Sequence, residues 1–256
     1  MTGADVYQPS RGLAAKVRRR VVRRMHGRTV PLRLARPTVS FTFDDVPLSV
    51  ARNALPVLEA RSWPATLYVA TGLLGGRTHF GRMMDADDVE AAARAGHEIA
   101  AHSHAHTDYA QGDWRGEERQ SDAAWAALGH SRPTAFAWPY GEASAAAKGA
   151  LKARYSSLRG IGGGLHIGRV DLHQLGAMAL FSDRVERVVR AVESLGDRPG
   201  WLILFTHDVE ATPTPWGCTP GEFCRVVEAV EAMGADVRTV SDVVEDVVGD
   251  LVEAPA

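Results

Sequence analysis

Thr38-Val39-Ser40-Phe41-Thr42-Phe43-Asp44-Asp45 is the stretch on which the fold turns. Apart from Ser40, its residues are β-branched or aromatic until the last two positions, so Thr38 to Asp44 reads as a buried strand that ends on a pair of carboxylates. Similar short runs follow at Ala65 to Ala70, Glu98 to Ala101, Thr134 to Trp138, Tyr155 to Leu158, Leu175 to Ala179, Trp201 to Thr206 and Asp236 to Val240. Helical patterns lie between them, at Ala51 to Ala60, Asp85 to Ala95, Ala145 to Ala153, Arg184 to Leu195, Pro220 to Met233 and Ser241 to Leu251. This alternation predicts an α/β fold with a parallel sheet, and its seven or eight units predict a single-domain distorted (β/α)-type barrel. Asp85 with Asp88, Thr219-Pro220, Gly96 and Gly234 punctuate the helix ends.

Chemistry gathers just after the strands, at the rim where such barrels place their active sites. Phe43-Asp44-Asp45, His102-Ser-His-Ala-His106 and His207-Asp208 each follow a strand, and Tyr140 falls on the same rim. Adjacent carboxylates repel unless a cation sits beside them. His102 and His106, four residues apart, present two imidazoles on one face where a helix begins. Two imidazoles and one carboxylate leave coordination positions open for water, which is the layout of a catalytic metal centre rather than a structural one.

The 256 residues, 45% hydrophobic, suffice for one barrel core. A formal net charge of -2 hides an asymmetry: residues 1–36 hold ten Lys/Arg and one acid, against 19 basic and 30 acidic residues elsewhere. We therefore divide the chain into a basic, partly helical arm (1–36) and a barrel domain (37–256). Leu13, Val17, Val21 and Met25 recur every four residues among Lys16, Arg18, Arg19, Arg20, Arg23 and Arg24, an amphipathic pattern with a basic face. Such a helix either packs its stripe on the acidic body or lies on an anionic membrane surface. No nucleic-acid motif accompanies the charge, so no nucleic-acid partner is expected. The arginines are not followed by an apolar export core, and Cys218 and Cys224 provide no disulfide framework. The expected location is the cytoplasm, with attachment to the inner face of the membrane as a variant of it.

From Val39 to Val240 these motifs resemble, in order, those of the polysaccharide deacetylase (NodB-homology) family, carbohydrate esterase family four. The resemblance implies a distorted barrel of about seven units that removes N- or O-acyl groups from sugars. It assigns Asp44 as general base, Asp45, His102 and His106 as ligands of one divalent metal, and His207 as general acid. Zinc is the expected ion, with cobalt, nickel and iron as alternatives. Trp138-Pro139-Tyr140-Gly141 matches the third motif, where a backbone N–H near the tyrosine helps hold the oxyanion. Three positions depart from the family pattern. Val46 replaces a glycine after the Asp pair, Phe205 replaces a leucine before the acid histidine, and Ala137 stands where an arginine usually orients the base. The branch with Phe-Ala-aromatic-Pro-Tyr-Gly in this motif shares that last feature.

Arg159, on the strand expected to neighbour Trp138, is the first candidate to replace the missing guanidinium. Asp171 and Gln174, near the family's fourth motif, are the next. Trp138, Phe205 and Trp216 are the candidate sugar contacts, Trp216 because it lies in the Pro/Gly-rich loop Pro213 to Pro220. The substrate implied is an acylated amino sugar, in a glycan or in its lipid- or nucleotide-linked precursor. Two alternatives remain: a deformylase or deacylase of a small metabolite, and a catalytically inactive sugar-binding module. Gly160-Ile-Gly-Gly-Gly164 lacks the spacing and the following helix of a dinucleotide loop.

Overall fold

The computed structural model describes residues 12–196 and 200–253, so residues 1–11 of the basic arm lie outside the described residues. Seven parallel strands build the sheet: β1 (Thr38–Asp44), β2 (Thr66–Val69), β3 (Glu98–Ala101), β4 (Ala135–Ala137), β5 (Ser157–Arg159), β6 (Met178–Ala179) and β7 (Gly200–Thr206). Their spatial order is β6-β7-β1-β2-β3-β4-β5. The segment leading into β6 returns to β5: Leu158 N–H donates to Leu172 O at 2.8 Å, Gly160 N–H to Leu175 O at 2.8 Å and Gly162 N–H to Ala177 O at 3.0 Å. These bonds curl the sheet into a distorted (β/α)7-type barrel, as the strand and helix alternation predicts.

Strand β1 shows how the sequence sets the two faces. Side chains alternate along a strand, and Val39, Phe41 and Phe43 pack with Phe223, Val226, Val227 and Val230 of the outer helix layer. The intervening residues turn to the interior, where Ser40 Oγ accepts from Trp201 Nε1 at 2.9 Å and Thr42 Oγ1 donates to Leu204 O at 2.8 Å. Asp44 continues this inward row. All seven residues of β1 are buried, as expected for a parallel strand covered on both faces.

The helices are α1 (Leu13–Arg24), α2 (Leu48–Asn53), α3 (Leu55–Glu59), α4 (Ala86–Arg94), α5 (Trp114–Ala127), α6 (Ala145–Leu151), α7 (Val185–Leu195), α8 (Pro220–Met233) and α9 (Val240–Glu253). Both start signals read from the sequence are real caps. Asp85 and Asp88 exchange side-chain-to-backbone bonds at α4, and Thr219 and Glu222 do the same at α8. The strand expected at Asp236 to Val240 stops at Val237, where it pairs with Val39, and Val240 already opens α9. Helix α5 carries no signal in the hydrophobic pattern, because its buried residues are Gly116, Glu117, Glu118, Ser121 and Trp125. A mostly polar buried face has no apolar periodicity to find.

Helix α1 docks on the body through Ala15 and Val22. Lys148, fully buried on α6, donates through Nζ to Arg23 O at 2.9 Å and Val22 O at 3.4 Å, closing orphan carbonyls at the helix end. Arg19 is ion-paired with Glu142. The stripe of Leu13, Val17, Val21 and Met25 is not packed on the body: these side chains are 79%, 56%, 53% and 38% exposed. Thr29–Pro31 then pairs with Arg169–Asp171, joining the end of the arm to the barrel.

Candidate active site

Asp45, His102 and His106 reach one point from two strand ends. Their ligand atoms lie within 4.8 Å of one another, with His102 Nε2 3.9 Å and His106 Nε2 3.6 Å from Asp45 Oδ1. His102 Nδ1 sits 2.8 Å from Ala137 O, so that nitrogen carries the proton and Nε2 offers its lone pair to the cluster. Burial, opposed in part by Asp44, pushes the His102 pKa down to about 4; burial, reinforced by His207, pushes that of His106 to about 3. Both rings are therefore neutral at physiological pH, as metal ligands must be. Asp45 is 3% exposed, and its Oδ1 has no hydrogen-bond partner. Burial pushes its carboxyl pKa up. An orphaned buried oxygen between two neutral imidazoles is the donor set a divalent ion fits.

Asp44 faces a different partner. The fully buried guanidinium of Arg159 donates through Nη2 to Asp44 Oδ1. Burial alone would raise the Asp44 pKa; Arg159, then His102 and His207, outweigh it and hold the carboxyl below its usual range. The guanidinium carbon lies 4.8 Å from the Tyr68 ring and 5.3 Å from that of Phe205. Register explains the reach: Arg159 is the cross-strand partner of Ala137. The guanidinium missing from one strand enters from the position directly opposite on the next.

His207 follows β7, with Nδ1 3.1 Å from Trp216 O and its ring stacked on Phe80 at 4.7 Å. Trp216 is held there by Asp208, whose carboxylate accepts from Thr214 N at 2.7 Å and Thr214 Oγ1 at 2.6 Å. The Tyr140 ring lies 4.3 Å from that of His106, and burial pushes its hydroxyl pKa up to about 12. Asp44, Asp45, His102, His106, Trp138, Tyr140, Phe205, His207 and Trp216 all line one cleft of ≈ 550 Å³. Asp171 and Gln174 do not reach it: Asp171 Oδ1 accepts from Arg28 N at 2.7 Å, and Gln174 Oε1 from Lys148 Nζ at 3.0 Å.

Backbone strain is concentrated on this rim. Asp45, Val46, Ser103, His106 and Tyr140 all have φ between 55° and 71°, five of the seven non-glycine residues with positive φ among the described residues. Each such residue costs roughly 1–3 kcal/mol and persists where its surroundings over-determine it. Val46 holds φ 55°, a conformation that only glycine adopts without strain.

Sequence reasoning missed Glu117 and His79. Glu117 is buried on α5 and accepts from His104 N at 3.0 Å, Ala105 N at 2.7 Å and Thr107 Oγ1 at 2.9 Å. It clamps the strained turn between His102 and His106. Replacing Glu117 with Ala is expected to weaken divalent-metal affinity about 10- to 100-fold, measured by metal titration of the folded protein. Exposed His79 lines the cleft beside Trp216, its ring centroid 5.4 Å away. It comes from the turn between Arg77–Thr78 and Gly81–Arg82, which no longer periodic element announces.

Residues 33–156 match the model of the polysaccharide deacetylase family. That match spans the first three motifs and ends before His207. No curated protein matches the chain. Among solved structures, the chain is similar to the chitin deacetylase of Colletotrichum lindemuthianum, at 19% identity over 83% of this chain and 89% of that one, TM-score 0.60. It is also similar to a family 4 acetyl xylan esterase from Clostridium thermocellum, solved with cobalt, at 21% identity over 80% and 89%, TM-score 0.55. A family 4 carbohydrate esterase from Streptomyces lividans, solved with acetate, matches at 20% identity over 80% and 92%, TM-score 0.53. These likenesses extend the shared fold past the family match to most of the chain.

Proposed function

We propose that this chain is a metal-dependent carbohydrate deacetylase that hydrolyses the N-acyl amide, in the simplest case N-acetyl, of an amino sugar. The observation that carries the reading is the division of the Asp pair: Asp45 faces two neutral imidazoles while Asp44 is held ionised by Arg159. A structural metal site has no use for the second arrangement. Zinc, cobalt, nickel or iron held by Asp45, His102 and His106 would supply a polarised acyl carbonyl and a more acidic water.

The chain's own groups do the rest. Asp44, ionised and oriented by Arg159, takes the proton of the attacking water. The N–H of Tyr140 is assigned to the developing oxyanion. His207 gives its Nε2 proton to the leaving amine, its Nδ1–H directed at Trp216 O. Trp138 is 2% exposed, so Trp216, Phe205 and the Tyr140 ring form the apolar wall for sugar and acyl group. Acetate release from a panel of N-acetylated sugars tests the reading. Metal binding with no release from any of them, or from formylated and other small amides, would favour an inactive sugar-binding module.

His207→Ala is expected to slow amide substrates about 10²-fold to 10⁴-fold, and esters with good leaving groups far less, since only the amine requires a proton to depart. Equal losses on both substrates, in parallel kcat measurements, would remove His207 as the acid.

Helix α1 supports a further part of the proposal, attachment to an anionic membrane surface. No described helix is long and apolar enough to cross a membrane. An exposed row of Leu13, Val17, Val21 and Met25 flanked by Arg20, Arg24 and Lys16 has the composition of an interfacial helix. Replacing Leu13, Val17 and Val21 together by Ser is expected to abolish co-sedimentation with vesicles of phosphatidylglycerol while the circular dichroism spectrum is retained. Equal pelleting of both proteins would show that the stripe does not enter the bilayer.

A further inference from the structure

Basic groups crowd the mouth of the cleft, although the barrel domain is acidic overall. Arg19 and Arg23 of α1 line one side, and Arg184 and Arg187, at and just beyond the start of α7, line the same cavity. The acids present are already engaged. Glu142 is ion-paired with Arg19 and lies 3.6 Å from Arg18, Asp44 is bonded to Arg159, and Asp45 faces the two histidines. Arg184 has Asp183 3.5 Å away and rests over the Phe181 ring at 5.2 Å. Arg23 and Arg187 have no acidic partner among the described residues. A neutral sugar gives no reason to gather these side chains.

The Gly160–Gly164 loop joins the two ends of this cavity. Ile161 packs so tightly on Gly141, next to Tyr140, that a Cβ there would lie 2.5 Å from Ile161 Cγ1. Gly162 and Gly163 follow, both lining the cleft with φ of 85° and 82°. A Cβ on Gly162 would sit 4.0 Å from Arg23 Nη1, and one on Gly163 would meet nothing within 4 Å. Bare backbone here lets a ligand group approach closely beside a guanidinium. Tyr140, Gly141, Ile161, Gly162 and Arg23 thus form a continuous wall from the reacting centre to the arginines. A cavity of ≈ 550 Å³ along this wall suits a single sugar and its substituent.

We infer that the substrate is an acylated amino sugar carrying a phosphate or diphosphate ester, which Arg23 and Arg187 bind at the mouth while the acyl group enters at Asp44 and Asp45. Guanidinium groups suit this ligand because their paired N–H donors match phosphate oxygens. The chemistry is shared by nucleotide-linked and lipid-linked sugars; Arg23 lies on the helix whose other face is the exposed apolar row. The inference rests on the deacetylase reading above.

Acetate release is measured from N-acetylglucosamine 1-phosphate and from the uncharged methyl glycoside of the same sugar, with wild type and Arg23→Gln/Arg187→Gln. Wild type is expected to prefer the phosphorylated substrate by about 10- to 100-fold in kcat/KM, the range for bonds to charged groups. The double variant should collapse that ratio towards one, chiefly through KM. No preference in wild type, or a ratio untouched by the substitutions, overturns the inference. Calorimetric titration with inorganic pyrophosphate separates the two readings: arginine-dependent binding without acetate release from any substrate sustains the anion site and sinks the deacetylase, whereas release from the neutral glycoside without pyrophosphate binding does the reverse. Uridine diphosphate- and polyprenyl diphosphate-linked forms of the sugar then distinguish the carriers, the favoured one showing the higher kcat/KM.

Discussion

Replacing Asp45, His102 or His106 by Ala is expected to remove stoichiometric divalent metal and to lower acetate release by several orders of magnitude, with the fold intact. Metal and activity should fall together because the site has three protein donors and no reserve; the fourth position belongs to water or substrate. The fold should survive because Asp45, His102 and His106 belong to none of the apolar clusters, and the barrel closes through backbone bonds and through those clusters. His106→Ala is the cleanest of the three. Its ring is half-buried, whereas His102 is 1% exposed and holds Ala137 O. Elemental analysis after purification without chelator, with circular dichroism as the control, reads both parts. Full occupancy in His106→Ala would remove the ligand assignment.

The sign of the acid response follows from the same burial. His102 and His106 titrate at about 4 and about 3 in the metal-free folded chain, below the 6.5 of an unperturbed histidine. The unfolded chain therefore binds more protons as pH falls below that value, and metal-free stability should decline from there down to the folded pKa values. Bound metal stabilises the neutral rings further and should move the decline to lower pH.

The rim was legible in the sequence because chemistry and strand ends coincide. Apolar runs that close on Asp44-Asp45, on His102 and on His207 can only be parallel strands delivering side chains to one edge, and the alternation fixes which neighbours meet. What escaped was held by polar burial. Glu117 and Glu118 face inward on α5, where Glu118 accepts from Tyr109 and Tyr155 hydroxyls at 2.8 and 3.0 Å. Nothing in hydrophobic periodicity marks such a face. The apolar row of α1 misleads in the opposite way: its spacing is that of a packing stripe, yet Ala15 and Val22 are the residues that dock. Asp171 and Gln174 follow β5 closely in sequence, but the first is spent on Arg28 and the second on Lys148, near the end of α1.

Arg159→Lys is expected to cost about 10²-fold in kcat while metal stays bound, and Asp44→Asn about 10²-fold to 10⁴-fold. The second change removes the base and keeps its size. The first keeps the charge and removes the planar fork, and the geometry shows why the fork matters. The Arg159 guanidinium is fully buried between the Tyr68 and Phe205 rings with Nη2 on Asp44. A lysine ammonium is a point charge on a flexible stem, is strongly hydrated, and cannot lie flat in that slot. It would sit displaced or lose its proton, and either outcome lets Asp44 drift from its position beside the metal cluster. A positioning role makes a further demand, that the acid limb of the pH–rate profile move. Arg159 is the largest influence holding the Asp44 carboxyl low, so its loss should raise the apparent pKa of that limb. Metal content at wild-type level, a reduced kcat and an acid limb shifted to higher pH would together assign Arg159 to the base. An unchanged limb with reduced rate would leave Arg159 a packing residue rather than the group that positions the base.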